Sequence, residues 1–119
     1  MPNKHAVGMA GQQTAEQFLL EKGLHILARN YRLRTGEIDL VARDGTYIVF
    51  IEVKYRTSLS HGYPREAVGY AKQSQIIRTA MQYITRYQLA DADFRFDVVE
   101  VLAQGGQMRV NHIIDAFSA

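Results

Sequence analysis

The sequence predicts one α/β domain, a mixed central sheet flanked by helices, with its elements in the order αβββαβ. Three observations carry this. The 119 residues, 47% of them hydrophobic, are enough for one core and too few for two. Apolar residues recur at helical spacing in two stretches and alternate at strand spacing in the others. The longer helical stretch lies between two strands, as a crossover to a parallel partner requires.

Residues 8–22 read as a helix, with Gly11, Ala15, Phe18, Leu19 and Lys22 on one stripe and Gly23 as the stop. HILARNYRL (25–33) alternates as a strand and runs into the turn Arg34-Thr35-Gly36. GEIDLVARDGTYIVFIEVKYR (36–56) reads as a hairpin with Asp44-Gly45 as its two-residue turn. That turn sets Asp39 opposite Phe50, Glu37 opposite Glu52 and Val41 opposite Ile48. TSLSHGYPREAVG (57–69) has the composition of a loop, with a helical turn begun at Pro64.

The second helix spans 71–87, burying Ile76, Ile77, Ala80, Met81, Ile84 and Tyr87 and turning Gln75, Arg78, Gln82 and Arg86 to water. RFDVVEVL (95–102) is a strand, Gly105-Gly106 a turn, and MRVNHIID (108–115) a returning strand. No repeat or linker interrupts the chain. One domain therefore covers 1–119, with an ordered core over about 8–117.

The absence of cysteine removes disulfides, thiolate nucleophiles and thiolate zinc sites together. No apolar run approaches the roughly 18 residues of a membrane span, and MPNKHAVGMAGQQ lacks the apolar core of a signal peptide, so a cytoplasmic location is expected. The net charge of +2 does not by itself announce a nucleic-acid binder. Placement says more: Arg29, Arg32, Arg34, Lys54, Arg56, Arg65 and Lys72 concentrate in the middle of the chain, where they could meet several phosphates.

The hairpin places Glu37, Asp39, Glu52 and Lys54 between Ile, Val and Phe. Strand side chains alternate, so all four emerge on one face, with Asp39 and Glu52 diagonal neighbours about 7 Å apart at Cβ. Gathered carboxylates repel one another, and burial adds a desolvation cost, so such a cluster calls for a cation. Lys54 supplies one charge against three. A divalent ion is the natural remainder, and all-oxygen ligands suit Mg²⁺ or Mn²⁺. With an ion on Asp39 and Glu52 and an ammonium at Lys54, phosphodiester hydrolysis is the chemistry that fits. An isolated Glu-x-Lys on a solvated strand is ordinarily a surface ion pair. The companion Asp39 is what lifts this one above that reading.

Asp39, twelve residues, then Glu52-Val53-Lys54 resembles the D…E-x-K signature of the restriction-endonuclease-like nuclease superfamily, whose core has the order αβββαβ. More closely, GEIDLVARDG, FIEVKYR, FDVV and IIDAF resemble the YraN family of small bacterial proteins, related to archaeal Holliday-junction resolvases. The likeness runs from about Gly8 to Phe117. It implies metal on Asp39 and Glu52, a catalytic Lys54, and Lys72 against the scissile phosphate or the backbone. It implies a Mg²⁺-dependent endonuclease (or Mn²⁺-dependent) acting on branched, flapped or single-stranded DNA in repair or recombination, and it admits a homodimer. Where relatives usually carry a glutamate in the first helix this chain has Gln12, with Glu16 one turn further along. The further ligand is then dispensable, or Gln12 serves through its carbonyl oxygen, or activity is reduced. The last case leaves a nucleic-acid-binding module with a decayed site as the alternative, and an RNA-directed nuclease is a third reading.

Two readings stand for Glu37: a ligand through water, or a partner for turn backbone. Arg34, Arg56 and Lys72 are expected on phosphates, and Tyr55 and Tyr63 on unpaired bases. Asp97 and Asp115, set in apolar strands, are expected to hold neighbouring backbone groups. The four histidines lack ligand spacing, and His61, in the loop, is the one nearest the site in sequence.

Overall fold

The computed structural model describes residues 4–57 and 68–119, with side chains from Met9 onward. Its elements are α1 (Lys4–Glu21), β1 (His25–Leu33), β2 (Gly36–Asp44), β3 (Tyr47–Arg56), α2 (Tyr70–Arg86), β4 (Asp93–Gln104) and β5 (Gln107–Phe117). The strands lie side by side in chain order. β3 and β4 run parallel while the other neighbours are antiparallel, so α2 is the crossover that a parallel pair needs. This is the αβββαβ order of the restriction-endonuclease-like core, extended by β5.

The two helices cover opposite faces. Under α2 lie Ile38, Val41, Phe50, Phe96 and Val98, packed on Ile76, Ala80 and Tyr83. Under α1 lie Leu40, Val49, Ile51 and Val99, packed on Ala15 and Leu19. β3 and β4 are covered on both sides, which is why Ile48–Ile51 and Phe96–Leu102 are buried without alternation. Each such Phe, Leu or Ile contributes about 1.5–3 kcal/mol by leaving water. α1 approaches β3 closely at Gly11, where a Cβ would stand 2.8 Å from Tyr55 Cδ2.

Two expectations need correction. Tyr87 is 50% exposed, because the helix ends at Arg86 and the chain turns away at Tyr87. Tyr83 fills that part of the core, edge-on to Tyr31 at 5.0 Å and to Phe50 at 5.7 Å. The second correction is the hairpin register. The loop is Gly45-Thr46, and the pairs are Leu40↔Ile51, Val41↔Phe50 and Asp44↔Tyr47. Asp44 stays in the strand because Arg95 of β4 holds its Oδ2 at 2.8 Å, and Gly45 takes the single positive φ (59°) that the turn needs. Each partner moves by two residues, so the face shared by Asp39, Glu52 and Lys54 survives.

Candidate functional site

β3 carries Glu52 and Lys54 in the row that continues Ile48 and Phe50, on the α2 side of the sheet. In β2 the alternation slips: Ile38 and Val41 both pack under α2 while Leu40 packs under α1, leaving Asp39 at the irregularity. Across from it, between the pairs Arg29↔Leu40 and Tyr31↔Ile38, Asn30 has φ 51°. Left-handed backbone of this kind re-aims a strand side chain, and Asn tolerates it. The β2–β3 ladder stops at Leu40↔Ile51. Beyond that rung the Asp39 carboxylate stands in for a backbone acceptor, its Oδ2 taking the Val53 N–H at 2.8 Å.

Glu52 is 6% exposed. Its Oε1 lies 3.5 Å from Lys54 Nζ and 4.0 Å from Lys72 Nζ, and its buried Oε2 has no hydrogen-bond partner. Burial and then the neighbouring charge of Asp39 push the Glu52 carboxyl up to about 7, against the pull of Lys72 and Lys54. Burial also raises Asp39, helped by Glu37 and opposed by the Val53 N–H and the two lysines. The balance is two carboxylates against two ammonium groups, rather than three against one. Even so the lysines do not offset the burial. Lys72 sits in the first turn of α2, where a cation opposes the helix dipole; facing Glu52 is what gives it a reason to be there.

The orphaned Oε2 of Glu52, the adjacent Asp39 and the all-oxygen chemistry fit a hard divalent ion of the Mg²⁺ type, which takes one or two carboxylates and completes its shell with water and phosphate. Among the described residues no three Asp, Glu, His or Cys side chains form a group able to hold an ion. The other candidate ligands have partners elsewhere. Glu37 lies 3.4 Å from Arg32. Glu16 is clasped by Arg29, whose Nε reaches its two oxygens at 2.9 and 3.0 Å. Gln12 donates to the side chain of Asn30, the residue opposite Asp39.

Of the residues expected on nucleic acid, Lys72 adjoins the carboxylates and Arg34 is exposed. Arg56 Nε lies 2.8 Å from Glu100 Oε2, in a largely buried pair. Tyr55 projects from the other face of β3, its ring against Gly11. Tyr63, His61, Arg65 and the turn at Pro64 lie outside the described residues. Glu100 escaped the sequence reading. In parallel register it neighbours Lys54, so it shares the face of Glu52. The usable signal was the one that exposed Glu52, a carboxylate inside an apolar run.

Asp97 is wholly buried and, as expected, structural. It accepts from Arg95 Nε at 3.0 Å, His112 Nε2 at 2.7 Å and the Asp115 N–H at 2.9 Å. Burial alone would raise its carboxyl, but His112, Arg95 and the Asp115 N–H outweigh it and hold the group below the ordinary range. No helix among the described residues is long and apolar enough to cross a membrane.

A family model described as "Uncharacterised protein family UPF0102" matches residues 11–101. The UPF0102 protein of Chlorobium phaeobacteroides is 46% identical over 119 residues, covering 95% of this chain and 94% of its own. That of Clostridioides difficile is 43% identical over 115 residues, covering 97% and 99%. That of Syntrophotalea carbinolica is 44% identical over 112 residues, covering 94% and 91%.

Proposed function

Since the chain belongs to the UPF0102 (YraN) family, we propose from its own carboxylate–lysine site that it is a metal-dependent DNA endonuclease with that site as its centre. The observation that carries this reading is Glu52: a buried carboxylate with one oxygen facing two lysines and the other without a partner, beside Asp39. Asp39 and Glu52 would hold Mg²⁺ or Mn²⁺. When bound, such an ion supplies Lewis-acid polarisation of a phosphoryl oxygen and lowers the pKa of a coordinated water. The Val53 N–H fixes Asp39 in one orientation, so the carboxylate does not have to be ordered on binding. Lys54 offsets the charge that builds on the non-bridging oxygens as water attacks, and it can orient that water. Lys72 brings a second cation to the same phosphate and helps draw the backbone in. Selectivity for branched, flapped or single-stranded DNA rests on the family likeness.

A binding module with a decayed nuclease site is favoured by two observations: Gln12 is engaged with Asn30, and two lysines already face the two carboxylates. The test is a panel of labelled linear, flap, fork and four-way DNA with Mg²⁺, Mn²⁺ or chelator, with matched RNA alongside. Metal-dependent cutting of DNA, lost in Asp39→Asn, is the expected result. Tight DNA binding with no cutting and no stoichiometric Mn²⁺ uptake would establish the binding module instead.

A further inference from the structure

We propose that the solvent face of α2, with Arg34 and Arg43 beside it, binds the phosphate backbone of a duplex arm lying beyond the nucleotide held at Asp39 and Glu52. The inference rests on the nuclease reading for what occupies the carboxylates, but its surface is separate.

The arginines divide into two sets. Arg29, Arg32, Arg56 and Arg95 each have a carboxylate partner: Glu16, Glu37, Glu100, and Asp44 with Asp97. Among the described residues Arg34, Arg43, Arg78, Arg86 and Arg109 have none; Arg109 lies on β5, and the other four lie on or beside α2. Gln75, Arg78, Gln82 and Arg86 are exposed and recur at spacings of three and four, so they form one stripe along the helix. The β1–β2 turn rests against that stripe: Gln82 Nε2 donates to Thr35 Oγ1 at 3.0 Å, and a Cβ on Gly36 would stand 3.3 Å from Gln75 Cβ. Arg34 is therefore beside it. Arg43 is paired with Ile48, which packs in the core under α2, so it lies on the α2 side of β2.

Composition points to phosphate. The 17 residues of α2 contain no Asp or Glu. A helix face selected only for solubility mixes signs at i, i+4, whereas Arg and Gln are both among the side chains that donate to phosphate oxygens. The exposed Tyr70 and Tyr87 stand at the two ends of α2, but no aromatic residue is exposed within the stripe from Gln75 to Arg86, whereas surfaces for single strands interleave aromatics with cations along their length. Geometry points to an arm. Lys72 touches Glu52, and Arg86 lies about 21 Å further on at 1.5 Å per residue. At 3.4 Å per phosphate along one strand that is about six steps, well past a single scissile linkage.

The test compares the full-length parent with Arg78→Gln/Arg86→Gln, which keeps helix-forming side chains and removes two charges. Binding to a labelled duplex and to a single strand of equal length is followed against salt in chelator, with thermal melting as the fold control. The duplex slope of log K against log salt should fall by about 1.8, two contacts at 0.9 each, while the single-strand slope and the melting temperature hold. An unchanged duplex slope, an equal fall on both substrates, or no duplex binding by the parent overturns the proposal. Failure of the nuclease reading would appear elsewhere, as cleavage or Mn²⁺ uptake indifferent to Asp39→Asn, and leaves this comparison intact.

Discussion

Replacing Glu52 by Gln should stabilise the protein at alkaline pH and leave it nearly unchanged in acid. The carboxyl lies at about 7 in the fold against 4.5 for a solvated glutamate, so the native state holds a proton that the unfolded chain releases between those values. With more protons on the native state, stability falls as pH rises through that window. The full cost, at about 1.4 kcal/mol per unit, is about 3 kcal/mol above pH 7. Glutamine mimics the protonated form at every pH, so the variant escapes this cost. Above pH 7 it should melt on the order of 10 °C higher than the parent, and near pH 4.5 the two should coincide. Divalent metal sharpens the comparison. Mn²⁺ at pH 8 should raise the parent's melting temperature by binding the ionised site, and raise that of Glu52→Gln far less. Thermal melts of both proteins at pH 4.5 and 8, with and without Mn²⁺, read all of this. A difference between the proteins that does not change with pH, or a parent more stable than the variant at pH 8 without metal, would refute the reasoning.

Four other substitutions follow from the same structure. Asp39→Asn should abolish cutting while keeping or raising DNA affinity in chelator, since it removes a negative charge from a phosphate-facing surface; cleavage and anisotropy assays read the two effects. Lys54→Ala should lose cutting yet keep Mn²⁺ binding by calorimetry, with a salt slope lower by at most about one contact. Gly11→Ala should fail to give the roughly 1 kcal/mol that alanine gains in an ordinary helix, because its Cβ meets the Tyr55 ring at 2.8 Å; a urea melt showing that full gain would count against the contact. Asp97→Asn should cost about 3–5 kcal/mol at neutral pH by leaving Arg95 and His112 without their carboxylate. Because the Asp97 carboxyl is held low in the fold, its stabilisation is present above the ordinary carboxylate range and is lost as pH falls through the depressed value, so urea melts of parent and variant should converge in acid.

Much of this architecture was legible because it depends on local periodicity. Two-residue alternation placed Glu52 and Lys54 on one face whatever they packed against, and the apolar stripe Ile76, Ala80, Ile84 marked α2 as a core helix. The loop after β3 and the helix behind it signalled a parallel return to β4. Asp39 joined the same face because hairpin pairing preserves parity, even with the turn displaced by one residue. That displacement was beyond reach: it depends on Arg95, 51 residues away in sequence, holding Asp44 in the strand. The fates of Glu16, Gln12 and Glu37 were hidden for the same reason, since Arg29, Asn30 and Arg32 become their neighbours only when β1 lies against β2 and under α1. Glu100 emerged only from the parallel register that sets it beside Lys54.

By itself the sequence determined the order of elements, the two core faces and the E-x-K row, because backbone periodicity and apolar burial act within a few residues. Only the tertiary structure decided which charges meet. Ion pairs and hydrogen bonds join groups tens of residues apart, and whether a carboxylate is neutralised or left with a buried, partnerless oxygen depends on which side chains the packed strands and helices bring within a few ångströms.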